Sequence, residues 1–583
     1  MADKPEDLSV GNEPPLTPKR SLPSYREPTP ETHRKMSREE EAELALKNTV
    51  FTSASRALLV GLFLVTITAV AAIQFAAEFS VSRSPRRLSL FDIFNALPSP
   101  AKLRAVHNLA DVWHLFPRAR DLKAAEEALE NDSVVAQWLL PRVQSVLTNG
   151  LLAGNEQVYL GRNGWLFYRA DVDYVTGRRF LDPLWAKRRA QTLGLRPDAI
   201  KAIVDFRNQL ARRGIDLIVL PTPVKPTIDG EMLAEVDSQG RALENESFGK
   251  FKALVENEGV RLFDPEPMLM QRKAAGRSPL YLKADTHWRP ETMEFIAEQL
   301  AAKLNLTAAV HRMVLQITEK KVAGLGDIAR MLRTSPAQTS SRYEEVTIRQ
   351  INASNGTWRP SKEADVLLLG DSFSNIFSLE ALGWGESAGF AEHLSRALQG
   401  RPIDCILRNS DGASATREIL SHELARGRDR LAGKILVIWQ FATRELAFGN
   451  WKLLDMSLRQ PSHVRFFTPQ SGEDIIVTGT VAALAAVPRP GSVPYADHIV
   501  AMHLVDLSGA PQTGNESVQC VAYLWSMRDN VWTPAARLRP GDRITVRLRS
   551  WADVSEEYGK INRSDIDDPQ LTVEEPAWAE FLK

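Results

Sequence analysis

Residues Val366-Leu-Leu-Leu-Gly-Asp-Ser-Phe373 set the expectation for the fold. The four apolar residues predict a buried strand, Gly370 and Asp371 predict a sharp turn, and Ser374-Asn-Ile-Phe377 is compatible with a helix. Such a turn lifts a serine hydroxyl to the carboxyl end of a sheet, where backbone N–H groups can stabilise an oxyanion. Ser372 is therefore a candidate nucleophile. The alternative is an ordinary loop in which Asp371 or Ser372 caps the helix.

A second stretch, Asp285-Thr-His-Trp-Arg-Pro290, supplies a candidate base for this serine. If the chain turns there, Asp285 can hold Nδ1–H of His287 and leave Nε2 free to take a proton from Ser372. Pro290 favours a loop that ends where a helix begins, because proline disfavours helix in the residue before it. The alternative is a helix-capping aspartate beside a structural histidine.

The surrounding chain alternates apolar runs with helical patterns, which indicates an α/β sheet domain. The predicted elements are a helix at 196–213, a strand at 215–220, a helix at 291–304 and a strand at 435–439. From about residue 462 short strands and Pro/Gly turns prevail, and Asp542–Ser550 alternates cleanly. We expect a small, separate all-β domain at 461–583 after a catalytic domain at 155–460.

Composition excludes several classes of protein. The 583 residues suffice for several domains, and 72 basic residues balance 72 acidic ones, so no global charge favours nucleic acid. Two cysteines exclude a disulfide scaffold, an iron–sulfur protein and a Cys-rich zinc module.

One local motif resembles a dinucleotide-binding pattern. Gly324-Leu-Gly-Asp-Ile-Ala329 fits the glycine spacing of that pattern but does not follow a buried strand, so we do not interpret it as a dinucleotide-binding site.

The N-terminal region predicts a membrane anchor. Residues 1–56 are proline-rich and polar and are expected to form a disordered tail. Residues 57–77 carry no charge and are long enough for one transmembrane helix. Residues 78–154 are expected to form a helical linker region. Three basic residues flank each side of the span, so the positive-inside rule does not orient it.

The two candidate stretches resemble the SGNH hydrolase-like domain of the AlgX/AlgJ-type alginate O-acetyltransferases, a family marked by an Asp-x-His-Trp signature. The similarity covers about residues 155–455. Four further segments agree with that family in kind and order: Gly161–Tyr168, Pro221–Pro226, Gly326–Leu332 and Trp439–Leu446. His287 precedes Ser372, so the triad order is inverted relative to ordinary SGNH hydrolases, as it is in this family.

The resemblance implies a polysaccharide O-acetyltransferase of exopolysaccharide biosynthesis that uses Ser372, His287 and Asp285 and needs no cofactor or metal. It implies a polysaccharide acceptor, a membrane-bound, MBOAT-like acyl-donor protein, and a single pass through the bacterial inner membrane with a periplasmic catalytic domain. A carbohydrate acetyl esterase with the same triad and a non-catalytic glycan-binding scaffold stay open as alternatives. The candidate substrate-binding residues are Trp288, Asn375, Trp439 and Arg444, for each of which a structural role is the alternative.

We predict that residues 1–56 lie in the cytoplasm and residues 80–583 outside it, because SGNH-like acetyltransferases of this type act on exported glycans and large domains translocate largely regardless of charge. Protease added to spheroplasts should degrade the C-terminal region and spare the tail. Protection of the C-terminal region would contradict this topology.

Overall fold

The computed structural model describes residues 52–81 and 133–582, apart from 194, 235–241, 305, 307–309, 355, 410–411, 426, 460–465, 489, 491–492, 494, 512–517, 539, 567, 569–570 and 573. Contacts divide the chain into two units, Met1–Leu90 and Phe91–Lys583. Most of the predicted tail, 1–51, and much of the predicted linker, 82–132, lie outside the described residues.

Within the described residues, the helices are α1 (Ser53–Val81), α2 (Val134–Gly150), α3 (Arg169–Thr176), α4 (Pro183–Leu193), α5 (Ala199–Ala211), α6 (Lys225–Ile228), α7 (Phe248–Asn257), α8 (Glu266–Ala274), α9 (Pro290–Lys303), α10 (Asp327–Met331), α11 (Pro336–Ser340), α12 (Ser372–Asn375), α13 (Phe390–Ala397), α14 (Ala415–Ala425), α15 (Glu445–Phe448) and α16 (Trp551–Tyr558).

The strands are β1 (Val158–Leu160), β2 (Leu166–Tyr168), β3 (Asp216–Thr222), β4 (Arg261–Leu262), β5 (Leu315–Gly324), β6 (Glu344–Ala353), β7 (Gly356–Thr357), β8 (Val366–Gly370), β9 (Asp404–Leu407), β10 (Leu436–Ala442), β11 (Asp474–Leu484), β12 (His498–Ser508), β13 (Cys520–Arg528), β14 (Val531–Trp532), β15 (Arg543–Ser550), β16 (Arg563–Ser564) and β17 (Ala577–Phe581).

Helix α1 contains the uncharged stretch noted in the sequence. Its segment Ser53–Ala76 has a mean hydropathy of 2.4 and is long and apolar enough to cross a membrane. Most of its apolar side chains are exposed rather than packed in a protein core.

The centre of the second unit is a parallel sheet in the order β4-β3-β10-β8-β9. Every residue of β8 and β10 is buried, which explains why β8 and residues 436–439 of β10 are apolar throughout. Ile438 in β10 lies opposite Ile218 on one side and Leu368 on the other. All five strands end at one edge, and the prediction of an α/β sheet domain is confirmed.

The C-terminal strands form a barrel-like sheet. They run in the order β13-β17-β15-β11-β12, and an additional pairing of β12 with β13 joins the two ends. Val546 and Leu548 of β15 point into a separate hydrophobic core, while Arg543 and Arg547 on the other face are exposed. This confirms the expected alternation and the small all-β domain. The barrel also contacts the α/β domain: Nδ2 of Asn562 donates to the carbonyl of Asn409 over 2.6 Å.

Candidate active site

The serine turn is built by the end of β8. Asp371 occupies the N-cap of α12, and its Oδ1 accepts the N–H of Phe373 over 2.9 Å. Ser372 is the first residue of this short helix. Asp371 thus caps the helix, as the alternative interpretation of the sequence expected. Because Asp371 is the cap, the Ser372 side chain is available for another contact, as the nucleophile interpretation requires.

Asp285 and His287 lie on a tight turn, as the proposed pairing requires. The N–H of Leu282 donates to the carbonyl of His287 over 3.0 Å, and the N–H of His287 donates to Oδ1 of Asp285 over 3.0 Å. Arg289 is extended, with φ −75° and ψ 157°, and α9 begins at Pro290. The proline thus separates the turn from the helix as the sequence indicated.

One hydrogen-bond chain connects the three polar side chains. Nδ1 of His287 lies 2.6 Å from Oδ1 of Asp285, and Nε2 of His287 lies 2.8 Å from Oγ of Ser372. The exposed fractions are 1%, 3% and 7% for Asp285, His287 and Ser372. With a proton on Nδ1, the imidazole donates to Asp285 and presents the Nε2 lone pair to the serine hydroxyl.

The Asp285 carboxylate is buried but well supplied with donors. Its Oδ1 accepts the backbone N–H of His287 and contacts Nδ1 of the same residue. Its Oδ2 accepts Nε1–H of Trp384 over 2.9 Å and the backbone N–H of Asp327 over 3.0 Å. Burial alone would raise the pKa of Asp285, but the charge and hydrogen bond of His287, together with these other donors, hold it below its ordinary value. Asp285 is therefore a permanent negative charge beside the imidazole.

This charge acts on His287. Burial disfavours the imidazolium, yet the charge and hydrogen bond of Asp285 outweigh burial and raise the pKa of His287 above its ordinary value. An imidazole of raised basicity is a better acceptor for the serine proton.

Asp327 is a component of the site that the sequence analysis did not assign. Its Oδ1 accepts the N–H of Thr286 over 2.8 Å, and its Oδ2 accepts the Thr286 hydroxyl over 2.6 Å. Asp327 thereby fixes the residue between Asp285 and His287 from a separate segment. Burial and the neighbouring charge of Asp285 raise the pKa of Asp327. In the sequence, Asp327 belongs to the dinucleotide-like pattern 324–329 and to the family-like segment 326–332, and neither pattern predicts a contact with the histidine turn.

Lys225 is a second unassigned component. Its ammonium is fully buried and donates to the carbonyls of Leu166, Lys283 and Asp285 over 2.6, 2.9 and 2.9 Å. Burial lowers the pKa of Lys225 to about 8. Lys225 therefore fixes the backbone around Asp285. In the sequence it could be noticed only as a single cation in an apolar, proline-rich stretch.

Gln440 connects the serine turn to the sheet. Its Oε1 accepts the N–H of Asp371 over 3.0 Å and the hydroxyl of Ser374 over 2.7 Å, while its Nε2 donates to Asp371 over 2.8 Å. Nε2 also donates to the hydroxyl of Thr222 at the end of β3. The ends of three neighbouring strands therefore hold the serine turn in one position.

The triad opens on a narrow cavity. Its lining residues are Asp285, His287, Asp327, Ser372, Ile376, Leu382, Asn409 and Tyr495. The free volume of this cavity is about that needed for one water molecule. Tyr495 comes from the C-terminal region, so residues from well-separated parts of the chain surround the serine.

The two tryptophans among the candidate substrate-binding residues are in the core instead. Trp288 and Trp439 each have 0% of their surface exposed, so neither offers a face to a ligand. Nε1 of Trp288 donates to the carbonyl of Phe373 over 3.0 Å, which connects the histidine turn to the serine turn. Trp439 packs edge-on against Phe206. The expectation was wrong because Trp439 lies within the buried strand β10 and Trp288 packs into the core just before α9.

The other two candidates are also engaged in internal contacts. Nη1 of Arg444 bonds to Asp171 over 2.9 Å just beyond the end of β10. Asn375 is fully buried, and its Nδ2 donates to Oδ1 of Asn409 over 3.2 Å. Asn375 therefore lies behind the cavity wall rather than in it, whereas Asn409 is a lining residue that the sequence analysis missed.

Asp285, His287 and Asp327 also form a group with potential metal-ligand atoms within 4.8 Å of one another. The facing atoms already take part in hydrogen bonds: Nδ1 of His287 with Asp285, and Oδ2 of Asp327 with the Thr286 hydroxyl. The donor set is explained by the turn that it holds together.

The family comparison agrees with this geometry. Residues 158–443 match the family described as "SGNH hydrolase-like domain, acetyltransferase AlgX". This segment is an SGNH hydrolase-like domain of the AlgX/AlgJ type. It contains the turns of Asp285, His287 and Ser372 and ends before the C-terminal barrel.

Similar curated proteins include probable alginate O-acetylases AlgJ of Pseudomonas species. The protein of Pseudomonas aeruginosa is 23% identical over 316 residues, which cover 51% of this chain and 72% of the relative. That of Pseudomonas fluorescens is 26% identical over 308 residues, covering 51% and 70%.

The solved structures that this chain resembles include two from Pseudomonas species. The O-acetyltransferase domain of Pseudomonas putida AlgJ has a TM-score of 0.38 at 21% identity, covering 50% of this chain and 93% of that one. Pseudomonas aeruginosa AlgX has a TM-score of 0.38 at 14% identity, covering 67% and 91%.

Gly326 lets the Asp327 segment approach the Asp285 turn, and we predict that Gly326→Ala destabilises the protein. A Cβ at this position would lie 2.0 Å from the carbonyl oxygen of Ala284. The backbone must shift, at a cost of about 1–3 kcal/mol. We expect a lower urea midpoint and weaker serine acylation.

Gly249→Ala is the matched control, because Gly249 lies in α7 with nothing within 4 Å of its added Cβ. Alanine there should stabilise the helix by about 0.5–1 kcal/mol. Equal midpoints for Gly326→Ala and the native chain would show that the close approach carries no constraint.

Proposed function

We propose that this protein is a membrane-anchored O-acetyltransferase that moves an acetyl group through Ser372 to hydroxyls of an exported polysaccharide. The observation that carries the proposal is the buried hydrogen-bond chain from Asp285 through His287 to Ser372. The family of residues 158–443 and the alginate O-acetylase relatives support the acetyl group and the polysaccharide acceptor. Helix α1 supports the anchor.

In the first half of the reaction, Oγ of Ser372 attacks the carbonyl carbon of an acetyl ester while its proton passes to Nε2 of His287. The new C–O bond forms as the bond to the leaving oxygen breaks, and His287 returns the proton to the leaving group. Asp285 stays ionised throughout and stabilises the transient imidazolium.

The negative charge on the carbonyl oxygen needs donors. The backbone N–H of Ser372 lies at the start of α12, and amide groups at such a position can stabilise an oxyanion. Asn409 lines the same cavity and carries a side-chain amide. We propose these two groups as the donors.

In the second half, an acceptor hydroxyl gives its proton to Nε2 of His287 and attacks the acyl carbon, and Oγ of Ser372 reclaims the proton as it leaves. Water can do the same, so a sugar must be held in line to compete; effective molarities of about 10⁵ M or more show that orientation can provide this advantage. The narrow cavity limits the water near the acyl group.

An acetyl esterase is the second candidate, because it would use the same serine, histidine and aspartate with water as the acceptor. The burial of the triad favours transfer, since a closed site restricts bulk water. A membrane-bound, MBOAT-like protein as acyl donor completes the proposal.

We predict that acylation falls as the pH drops through the raised pKa of His287, because only the neutral imidazole accepts the serine proton. With p-nitrophenyl acetate as substrate, kcat/KM should reach half of its maximum at a midpoint pH that lies above 6.5. Asp285→Asn should lower the rate by about 10³–10⁴-fold and move the midpoint downward, because the charge that raises the pKa is removed. Exposed Asp173→Asn should change neither quantity. A native midpoint below 6.5 would be inconsistent with the proposed base.

The proposal as a whole is tested by mass spectrometry of the full-length protein in detergent, incubated with p-nitrophenyl acetate. The peptide that contains Ser372 should gain about 42 Da, the mass of one acetyl replacing one hydrogen. With a suitable oligosaccharide, acetyl should appear on the sugar and free acetate should fall in step. Ser372→Ala should lose at least about 10³-fold in rate, whereas exposed Ser340→Ala should not.

Two outcomes separate the alternatives. Acylated Ser372 with no acetylated sugar for any tested glycan would favour the esterase. An unlabelled Ser372 in a folded protein would refute the acyl-enzyme altogether.

A further inference from the structure

The cavity at Ser372 is lined by two groups of side chains with different chemistry. The polar lining residues are Asp285, His287, Ser372, Asp327 and Asn409, and the other three are Ile376, Leu382 and Tyr495. Ile376 and Leu382 follow the serine turn in the catalytic domain. Tyr495 lies beyond residues 158–443, between strands β11 and β12 of the barrel.

Tyr495 is held by the barrel itself. Its ring stacks on the imidazole of His498, with centroids 5.9 Å apart and planes 15° apart. His498 is in turn fixed between the hydroxyls of Ser526 and Ser564, at 2.6 and 3.1 Å. Only 8% of the Tyr495 surface is exposed. The ring is therefore a fixed part of the cavity wall.

The barrel also forms hydrogen bonds with Asn409, a lining residue of the cavity, and with its neighbour Arg408. Nδ2 of Asn562 donates to the carbonyl of Asn409 over 2.6 Å, and Nδ2 of Asn409 donates toward the carbonyl of Lys560 over 3.4 Å. The guanidinium of Arg408 donates to the carbonyl of Arg563. These contacts set the position of the barrel, and hence of Tyr495, relative to Ser372.

We propose that the barrel completes an acyl-binding subsite through Tyr495 and restricts the acyl group on Ser372 to a short chain. The inference rests on the proposed function, since it concerns the acyl-enzyme of that reaction. In the acyl-enzyme the carbonyl is directed to the N–H of Ser372 and to Asn409, and the methyl group to Ile376, Leu382 and Tyr495. Because the free space beside Ser372 is small, these side chains have to yield to admit an acyl group, and each added methylene requires a larger displacement.

The test compares p-nitrophenyl acetate, propionate, butyrate and hexanoate with the full-length protein. Attack by Ser372 releases p-nitrophenol and leaves the acyl group on Oγ. Because one methylene in an apolar pocket changes kcat/KM by about 10–200-fold, the native protein should prefer acetate to butyrate by at least about tenfold. Tyr495→Ala should raise the butyrate-to-acetate ratio at least about tenfold, and Tyr495→Phe should keep the native ratio.

Tyr495→Trp makes the opposite change and keeps the test decisive if the alanine variant does not fold. A larger ring should narrow the cavity and slow acetate itself by about tenfold or more. Tyr343→Ala is the matched control, because Tyr343 is 58% exposed on the catalytic domain; its chain-length ratio should equal that of the native protein.

A native chain-length ratio in folded Tyr495→Ala would overturn the proposal, and if that variant does not fold, a native acetate rate in folded Tyr495→Trp would overturn it. The mass of the Ser372 peptide distinguishes this result from failure of the proposed function. If Ser372 is acylated equally by all four esters, only the subsite proposal fails; if Ser372 is acylated by none, the acyl-enzyme proposal fails.

Discussion

The geometry of the site depends on the hydrogen bonds that replace the hydration of one buried carboxylate, that of Asp285. Burying an ionised group is unfavourable unless hydrogen bonds and an opposite charge replace its hydration. The Asp285 carboxylate meets this requirement with donors from His287, Trp384 and the backbone of Asp327. These donors come from separate parts of the chain, so satisfying the charge brings their loops together. The same bonds aim the imidazole at Ser372.

The parallel sheet provides the rigid support for this convergence. Strands that run in one direction end at one edge, where loops from distant parts of the sequence meet. Gln440 and Asp371 exchange hydrogen bonds between the ends of β10 and β8, and Gln440 also donates to Thr222, the last residue of β3. Lys225 extends the network to the Asp285 backbone. Asp285, His287 and Ser372 are therefore attached to backbone segments that are themselves held by hydrogen bonds.

The tryptophans illustrate how a correct location can suggest the wrong role. A buried indole needs an acceptor for its N–H, so it serves as a hydrogen-bonding support as well as apolar filling. Trp288 donates to the carbonyl of Phe373, and Trp384 donates to Asp285. Both lie at the site, but they stabilise its turns from the core side. Proximity to a motif in the sequence does not reveal which way a side chain faces.

The sequence by itself determined the strand–turn–helix at Ser372, the turn between Asp285 and His287, and the alternation of β15, because these depend on residues close together in the chain. Only the tertiary structure decided that Asp327 supports Thr286 and that Tyr495 lines the serine cavity. Such contacts join residues far apart in sequence, and local hydrophobic patterns and turn propensities carry no information about which distant loops meet. Packing of the whole unit determines them.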